Sequence, residues 1–299
     1  MDWGMKNRLS RIIKPASGRT VMLAVDHGYF MGPTTGLEQL NRMVDPLLPY
    51  ADTLMLTRGA LRYYIDPGVD VPITLRMSGG TSILNKQLLH EGTVCSMEDA
   101  VRLNVSCVAF SILVGAEYER DTILEFTKMV DNARNYGIPS LVVTAVGRDM
   151  VRDARYMALA SRMGAELGAD IVKTYYVDGF EKVVESCPVP VVIAGGKKIP
   201  ERDALQMAHD AVVKCGAAGV DMGRNIFQSG SPVAMIQAVR SVVHENAKVD
   251  DAYDLYRELK SKSRAKAKTK AKAKPKAKAK AKPKAKAKPK VKAKAKARR

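Results

Sequence analysis

The sequence predicts an α/β protein, one (β/α)8 barrel (a TIM barrel) followed by a disordered basic tail. Three observations predict it. Eight short runs rich in Val, Ile, Leu and Met recur between residues 20 and 225, each bounded by Gly, Pro or Asp. They are nearly continuous in apolar residues rather than alternating, as expected of strands buried on both faces of a parallel sheet. Most gaps between them carry helix-compatible sequence, so strand and helix alternate along the chain, which is the barrel pattern.

The runs follow in order. They are T-V-M-L-A-V-D-H-G (20–28), D-T-L-M-L-T-R-G (52–59), V-P-I-T-L-R-M-S-G (71–79) and S-C-V-A-F-S-I-L-V-G (106–115). Then come P-S-L-V-V-T-A-V-G (139–147), A-D-I-V-K-T-Y-Y (169–176), V-P-V-V-I-A-G-G (189–196) and A-G-V-D-M-G-R-N (218–225). Helices are expected over 151–167 and 201–215, closing on Gly168 and Gly216, since glycine is a common helix stop. The connections after the second and third strands are less regular. A doubly wound sheet would want G-x-G-x-x-G after its first strand, and D-H-G-Y-F-M-G-P stands there instead.

A last helix near 250–260 leads into the tail, expected over 261–299. Residues 264–299 hold 16 Lys and 3 Arg and no acid. The whole chain carries +18, but without those 19 charges 30 basic residues face 31 acidic ones. The body is thus nearly neutral. Repeated Lys-Ala with prolines at 275, 283 and 289 offers nothing to bury, so disorder is expected. The tail suits non-specific attachment to nucleic acid or another polyanion. A solubilising appendage is the plainer reading.

Cys95, Cys107, Cys187 and Cys215 form no C-x-x-C pair, so free thiols in a reducing compartment are expected, and no metal. The first residues do not read as a signal peptide, and no apolar run reaches the roughly 20 residues of a membrane helix. A cytoplasmic protein is expected.

Barrel chemistry sits at the strand C-termini. Lys173, inside the sixth strand, is the sharpest residue there. Desolvation favours the neutral amine, which can attack a carbonyl and form an imine. A structural lysine paired with a carboxylate such as Asp26 is the alternative. The seventh and eighth strands end in I-A-G-G-K-K and V-D-M-G-R-N. Gly195, Gly196, Lys197, Gly223 and Arg224 are expected to bind a phosphate, as loops after these strands commonly do. Lys198 could assist. Asp26 and His27 end the first strand and Tyr175 stands two residues beyond Lys173, so these three are the candidates for proton transfer. His90, His209 and His244 read as loop or helix-surface residues, and Trp3 as a packing or interface residue.

Together L-A-V-D-H-G, V-G-A-E-Y-E, A-D-I-V-K-T, V-I-A-G-G-K-K and V-D-M-G-R-N-I-F-Q resemble the archaeal-type class I aldolase superfamily, over nearly all of residues 2–260. The resemblance implies a barrel, a Schiff-base lysine at Lys173, a phosphate site on the last two strands and a functional aspartate at Asp26. It implies no metal and no resident cofactor. The family's fructose-bisphosphate aldolases carry a tyrosine at the end of the fifth strand, where Val146 stands here. D-W-G-M, D-H-G-Y-F, G-P-T-T-G-L-E and K-T-Y-Y-V resemble instead a thiolase branch associated with autoinducer-2 catabolism. That branch implies acetyl transfer from a phosphorylated pentane-2,4-dione to coenzyme A, releasing dihydroxyacetone phosphate, and assembly into a homo-oligomeric ring. Arg58, Arg76 and Arg148 are candidates for holding coenzyme A. A class I aldolase or related transferase is the second reading, and a polyanion-binding barrel the third.

Overall fold

The computed structural model describes residues 1–85, 90–144 and 152–273. Eight parallel strands close into a barrel: β1 (Thr20–Ala24), β2 (Thr53–Thr57), β3 (Ile73–Arg76), β4 (Cys107–Ile112), β5 (Ser140–Thr144), β6 (Ile171–Tyr175), β7 (Val191–Ala194) and β8 (Gly219–Met222). Each falls inside one of the eight predicted runs. Neighbours in sequence are neighbours in the sheet, and β1 pairs with β8 through Thr20↔Gly219 to Leu23↔Met222. This is the (β/α)8 barrel.

The predicted helix over 151–167 forms as Ala154–Glu166, started by Asp153, whose side chain accepts from the Tyr156 N–H. The one over 201–215 forms as Glu201–His209 and continues as a π turn through Lys214. Gly168 and Gly216 follow them at φ 104° and 80°, where a side chain would be strained. The two irregular connections have identifiable causes. A helix, Arg58–Tyr64, starts directly on the last residue of β2. After β3 the chain forms a small antiparallel ladder, Ser78–Gly79 against Gly92–Thr93, before its helix Met97–Arg102. The last helix runs Val249–Ala273, past position 261, as the good helix propensity of Ala and Lys allows.

Side chains two apart share a strand face. The inward set therefore builds layers. The lower layer is apolar: Met22, Met55, Ala109, Leu141, Ile171 and Val192 cluster with Ile12 of the helix Trp3–Ile12, which caps the barrel's N-terminal end. Trp3 itself is exposed. With the floor plugged, the next layer toward the strand C-termini is free to be polar. It holds Lys173, Asp221, Arg76 and Ser111.

His244 differs from its surface reading. Its side chain is largely buried, and Nε2 lies 2.7 Å from Asp52 Oδ2 while Nδ1 meets Ser17 Oγ at 2.8 Å. Asp52 also accepts from the Val21 N–H and from Arg240, tying the last barrel helix to β1 and β2. Burial alone would raise the Asp52 carboxyl, and these donors hold it below the usual range instead. The four cysteines are free thiols, two of them only half-buried. Among the described residues, no helix is long and apolar enough to cross a membrane, and no cluster of three His, Cys, Asp or Glu is arranged to hold a metal ion.

Candidate active site

One cavity of about 200 Å³ opens at the C-terminal end of the strands. Lys173 stands at its base. The alternation that sends Ile171 into the apolar floor sends Lys173 into the cavity and Tyr175 to its rim. Lys173 is 7% exposed. Its Nζ lies 2.8 Å from Oδ2 of Asp221 and 3.6 Å from the Met55 sulfur. Its carboxylate partner is thus Asp221 on β8, not Asp26.

One wall comes from the ends of β7 and β8. Gly195, Gly196, Gly223 and Arg224 line it. Gly223 is required by close approach: a Cβ there would stand 2.3 Å from the Ala24 carbonyl oxygen and 2.5 Å from the His27 ring. Gly196 takes φ 65°. Asn225, fully buried, joins the two loops, donating to the Gly195 carbonyl at 2.6 Å and accepting the Ile199 N–H at 2.9 Å. Arg224 brings a buried Nε without a hydrogen-bond partner. A wall of backbone with one free guanidinium N–H suits a phosphate.

The opposite wall is made of side chains from β1, β3, β4 and the β3 ladder. Arg76 donates through Nε to Asp26 Oδ2 at 2.9 Å and through a terminal nitrogen to Ser111 Oγ at 2.6 Å. Ser78 donates to Glu91 Oε2 at 2.5 Å, and the Tyr29 hydroxyl donates to Glu91 Oε1 at 2.6 Å. Burial alone would raise the Asp26 carboxyl, but the charges of Arg76 and Lys173 hold it at about 2. Asp26 is therefore an anion at neutral pH and a weak base. Burial pushes the His27 imidazole down to about 4, assisted by Lys173 and Arg224 and opposed by Asp26. His27 is neutral at pH 7. Its buried Nδ1 makes no hydrogen bond and lies 3.9 Å from Asp26 Oδ1, and its ring stands edge-on to Phe227. Burial also raises the Tyr29 phenol, which stays protonated.

The cavity thus gathers Lys173, Asp26, His27, Tyr175, Gly195, Gly196, Gly223 and Arg224. Lys197 lies outside it. That side chain is exposed and borders a neighbouring hollow with Arg152, whose guanidinium sits 4.3 Å from the Tyr175 ring centre. Lys198 pairs with Glu201 at 3.4 Å. Of the arginines considered for coenzyme A, Arg76 is locked in the acidic wall and Arg58 pairs with Asp99. Arg148, like Val146, lies outside the described residues. Sequence reasoning missed Asp221, Glu91 and Tyr29. Asp221 carried the same signal as Lys173, a charge inside an apolar strand. Glu91, brought in by a loop ladder, carried none.

Residues 20–229 match the family model of the DeoC/LacD aldolases. A Photorhabdus laumondii protein named 3-hydroxy-5-phosphonooxypentane-2,4-dione thiolase is 56% identical over 257 residues, covering 86% of this chain and 88% of that one. The Escherichia coli K12 protein of the same name matches with the same identity and coverage. Among solved structures, an archaeal fructose 1,6-bisphosphate aldolase superposes with a TM-score of 0.72 at 26% identity, covering 81% of this chain and 99% of that one. Another archaeal aldolase, whose catalytic lysine is covalently bound to the carbinolamine intermediate, gives 0.72 at 27% identity, covering 80% and 99%. Fold, buried lysine and matched length agree: the chain belongs to the DeoC/LacD family of aldolases.

Proposed function

We propose that this enzyme is a thiolase that cleaves a phosphorylated pentane-2,4-dione through an imine on Lys173, passes the acetyl group to coenzyme A and releases dihydroxyacetone phosphate. The observation that carries the reading is the identity of 56%, over most of both chains, to proteins named for that reaction. The cavity supports it. Lys173 stands between a wall suited to one phosphate and a wall of hydroxyls and carboxylates. A substrate with its phosphate on the glycine wall would present its nearer ketone to Nζ and its acetyl end to the Glu91 side.

The amine adds to that ketone, water leaves, and an iminium forms. The thiolate of coenzyme A adds to the acetyl carbonyl. The bond between that carbon and its neighbour breaks, and its electron pair passes into the iminium to give an enamine. A proton then goes to the enamine carbon, and hydrolysis frees Lys173. Of the three residues proposed for proton work, Asp26 is held as an anion, which leaves His27 and Tyr175 for the transfer and Asp26 for orientation. A cavity of about 200 Å³ admits only the thiol end of coenzyme A, so the rest of the cofactor would lie outside the mouth. The neighbouring hollow with Arg152, Tyr175 and Lys197 is a place it could rest.

The deciding experiment is acetyl-CoA formation from the phosphorylated pentanedione and coenzyme A. Efficient cleavage of fructose 1,6-bisphosphate to triose phosphates would overturn the reading in favour of an aldolase. A homo-oligomer in solution and non-specific nucleic-acid binding through the tail belong to the same proposal. The second is tested by deleting residues 264–299, which should leave turnover intact and abolish salt-sensitive DNA binding.

A further inference from the structure

Among the described residues, Asp221 is the buried acid that neither wall of the cavity explains. Its side chain is fully buried, and among the described residues no backbone N–H, hydroxyl, amide or guanidinium donates to either carboxylate oxygen. Its one polar neighbour within reach is the Lys173 nitrogen, 2.8 Å from Oδ2. Buried carboxylates are normally saturated with donors, and an exception calls for a reason. Other buried acids among the described residues obey the rule: Asp26 accepts from the Arg76 Nε–H, Glu91 takes two hydroxyls, and Asp52 takes three donors. Asp221 alone of these meets only the reacting nitrogen.

We propose that Asp221 is a catalytic residue, the proton acceptor and donor for imine formation on Lys173. This rests on the imine proposed above. Lys173 as an ammonium has no lone pair with which to attack. Transfer of one proton from Nζ to Oδ2 gives a neutral amine and a neutral carboxylic acid. The amine adds to the ketone carbon, and the proton it then carries moves to the ketone oxygen, giving a carbinolamine. Asp221 returns its proton to the carbinolamine hydroxyl. The C–O bond breaks, water leaves, and the nitrogen lone pair completes the iminium. The cycle begins with an ammonium beside a carboxylate and ends with an iminium beside a carboxylate. No charge is created or lost in the buried site at either end, which keeps the desolvation cost level through the cycle. Burial holds the Asp221 carboxyl above its usual range, with Lys173 pulling the other way, so its protonated form is accessible.

The test uses the full chain, dihydroxyacetone phosphate and borohydride, with the reduced adduct on Lys173 counted by mass spectrometry across neutral to alkaline pH. In the unsubstituted protein the adduct should form at a rate nearly level with pH, because the internal acceptor replaces hydroxide. In Asp221→Asn it should form about a hundredfold more slowly near pH 7 and recover as pH rises toward the free lysine range. Binding of inorganic phosphate to the glycine wall should be unchanged, which a distorted site would not allow. Equal rates and equal pH profiles in the two proteins would overturn the proposal. If the variant does not fold, the unsubstituted protein decides alone: trapping that rises tenfold per pH unit means no internal acceptor. If the unsubstituted protein gives no adduct at any pH, the imine itself falls, and this role with it.

Discussion

The two walls of the cavity meet a ligand in different ways. The β7–β8 wall is backbone: Gly195, Gly196 and Gly223, with the free Nε of Arg224 beside them. The wall formed by β1, β3 and β4 is a closed circuit of side chains, Asp26 to Arg76 to Ser111 and Ser78, then to Glu91 and Tyr29. The first spends nothing on itself and leaves its donors for an anion. The second sets two carboxylates, Asp26 and Glu91, against one guanidinium, Arg76. One cavity thus has an end that attracts negative charge and an end that repels it, with Lys173 between. That polarity predicts one orientation for a ligand with a single phosphate, the phosphate on the glycines.

The largest test of this picture removes what both walls serve. Lys173→Met should lower turnover about a thousandfold or more and abolish the borohydride adduct. It also strands Asp221 as a buried acid without its ion-pair partner, which should cost roughly 3 kcal/mol of stability by urea denaturation. Half the original turnover in this variant would show that the walls orient substrate for some other nucleophile.

His27 gives the next effect, and its sign can be worked out. Its pKa is about 4 in the folded protein against an ordinary 6.5. The unfolded chain therefore takes up the proton first as pH falls. Stability from this group is complete above pH 6.5 and is lost progressively toward pH 4, by up to about 3 kcal/mol. The urea midpoint should fall across that window, and His27→Gln should flatten the fall. An unchanged slope in the variant would mean that the imidazole is not the group held neutral by this wall.

The glycine wall is tested by Gly223→Ala. The added Cβ meets the Ala24 carbonyl, backbone that cannot step aside. A loss of about 1–3 kcal/mol in stability and weaker phosphate binding are expected. Wild-type melting and phosphate affinity would show that β8 can shift away from β1, and that the glycine is not demanded by packing.

The same contrast governs what the sequence discloses. Backbone walls demand glycine at fixed spacing, so G-G-K-K and M-G-R-N stand out in a linear text. The strands were legible for a similar reason, since double-sided burial makes continuous apolar runs. A wall of side chains assembled from four distant segments leaves no local pattern. Ser78, Glu91, Ser111 and Tyr29 look like ordinary polar residues until the barrel closes. Asp221 lies between. It lies in the V-D-M-G-R-N motif, but its meaning depends on β8 and β6 lying either side of β7 in the closed sheet and sending both side chains inward, a relation absent from spacing along the chain.

The finest test separates the walls by charge alone. Glu91→Gln keeps the shape of the side chain and both of its contacts, because the Tyr29 hydroxyl can accept from an amide where it now donates to a carboxylate. What it removes is one negative charge at the end of the cavity away from the glycines. A ligand with a phosphate at one end only should notice little: dihydroxyacetone phosphate should bind within about twofold of its original affinity. A ligand with a phosphate at each end must place one of them against residue 91, so fructose 1,6-bisphosphate should bind about tenfold more tightly to the variant. If both ligands gain equally, the charge of Glu91 acts on the whole cavity and the walls are not separate. If neither gains, the repulsion comes from Asp26, and the polarity of the cavity is set one step closer to Lys173.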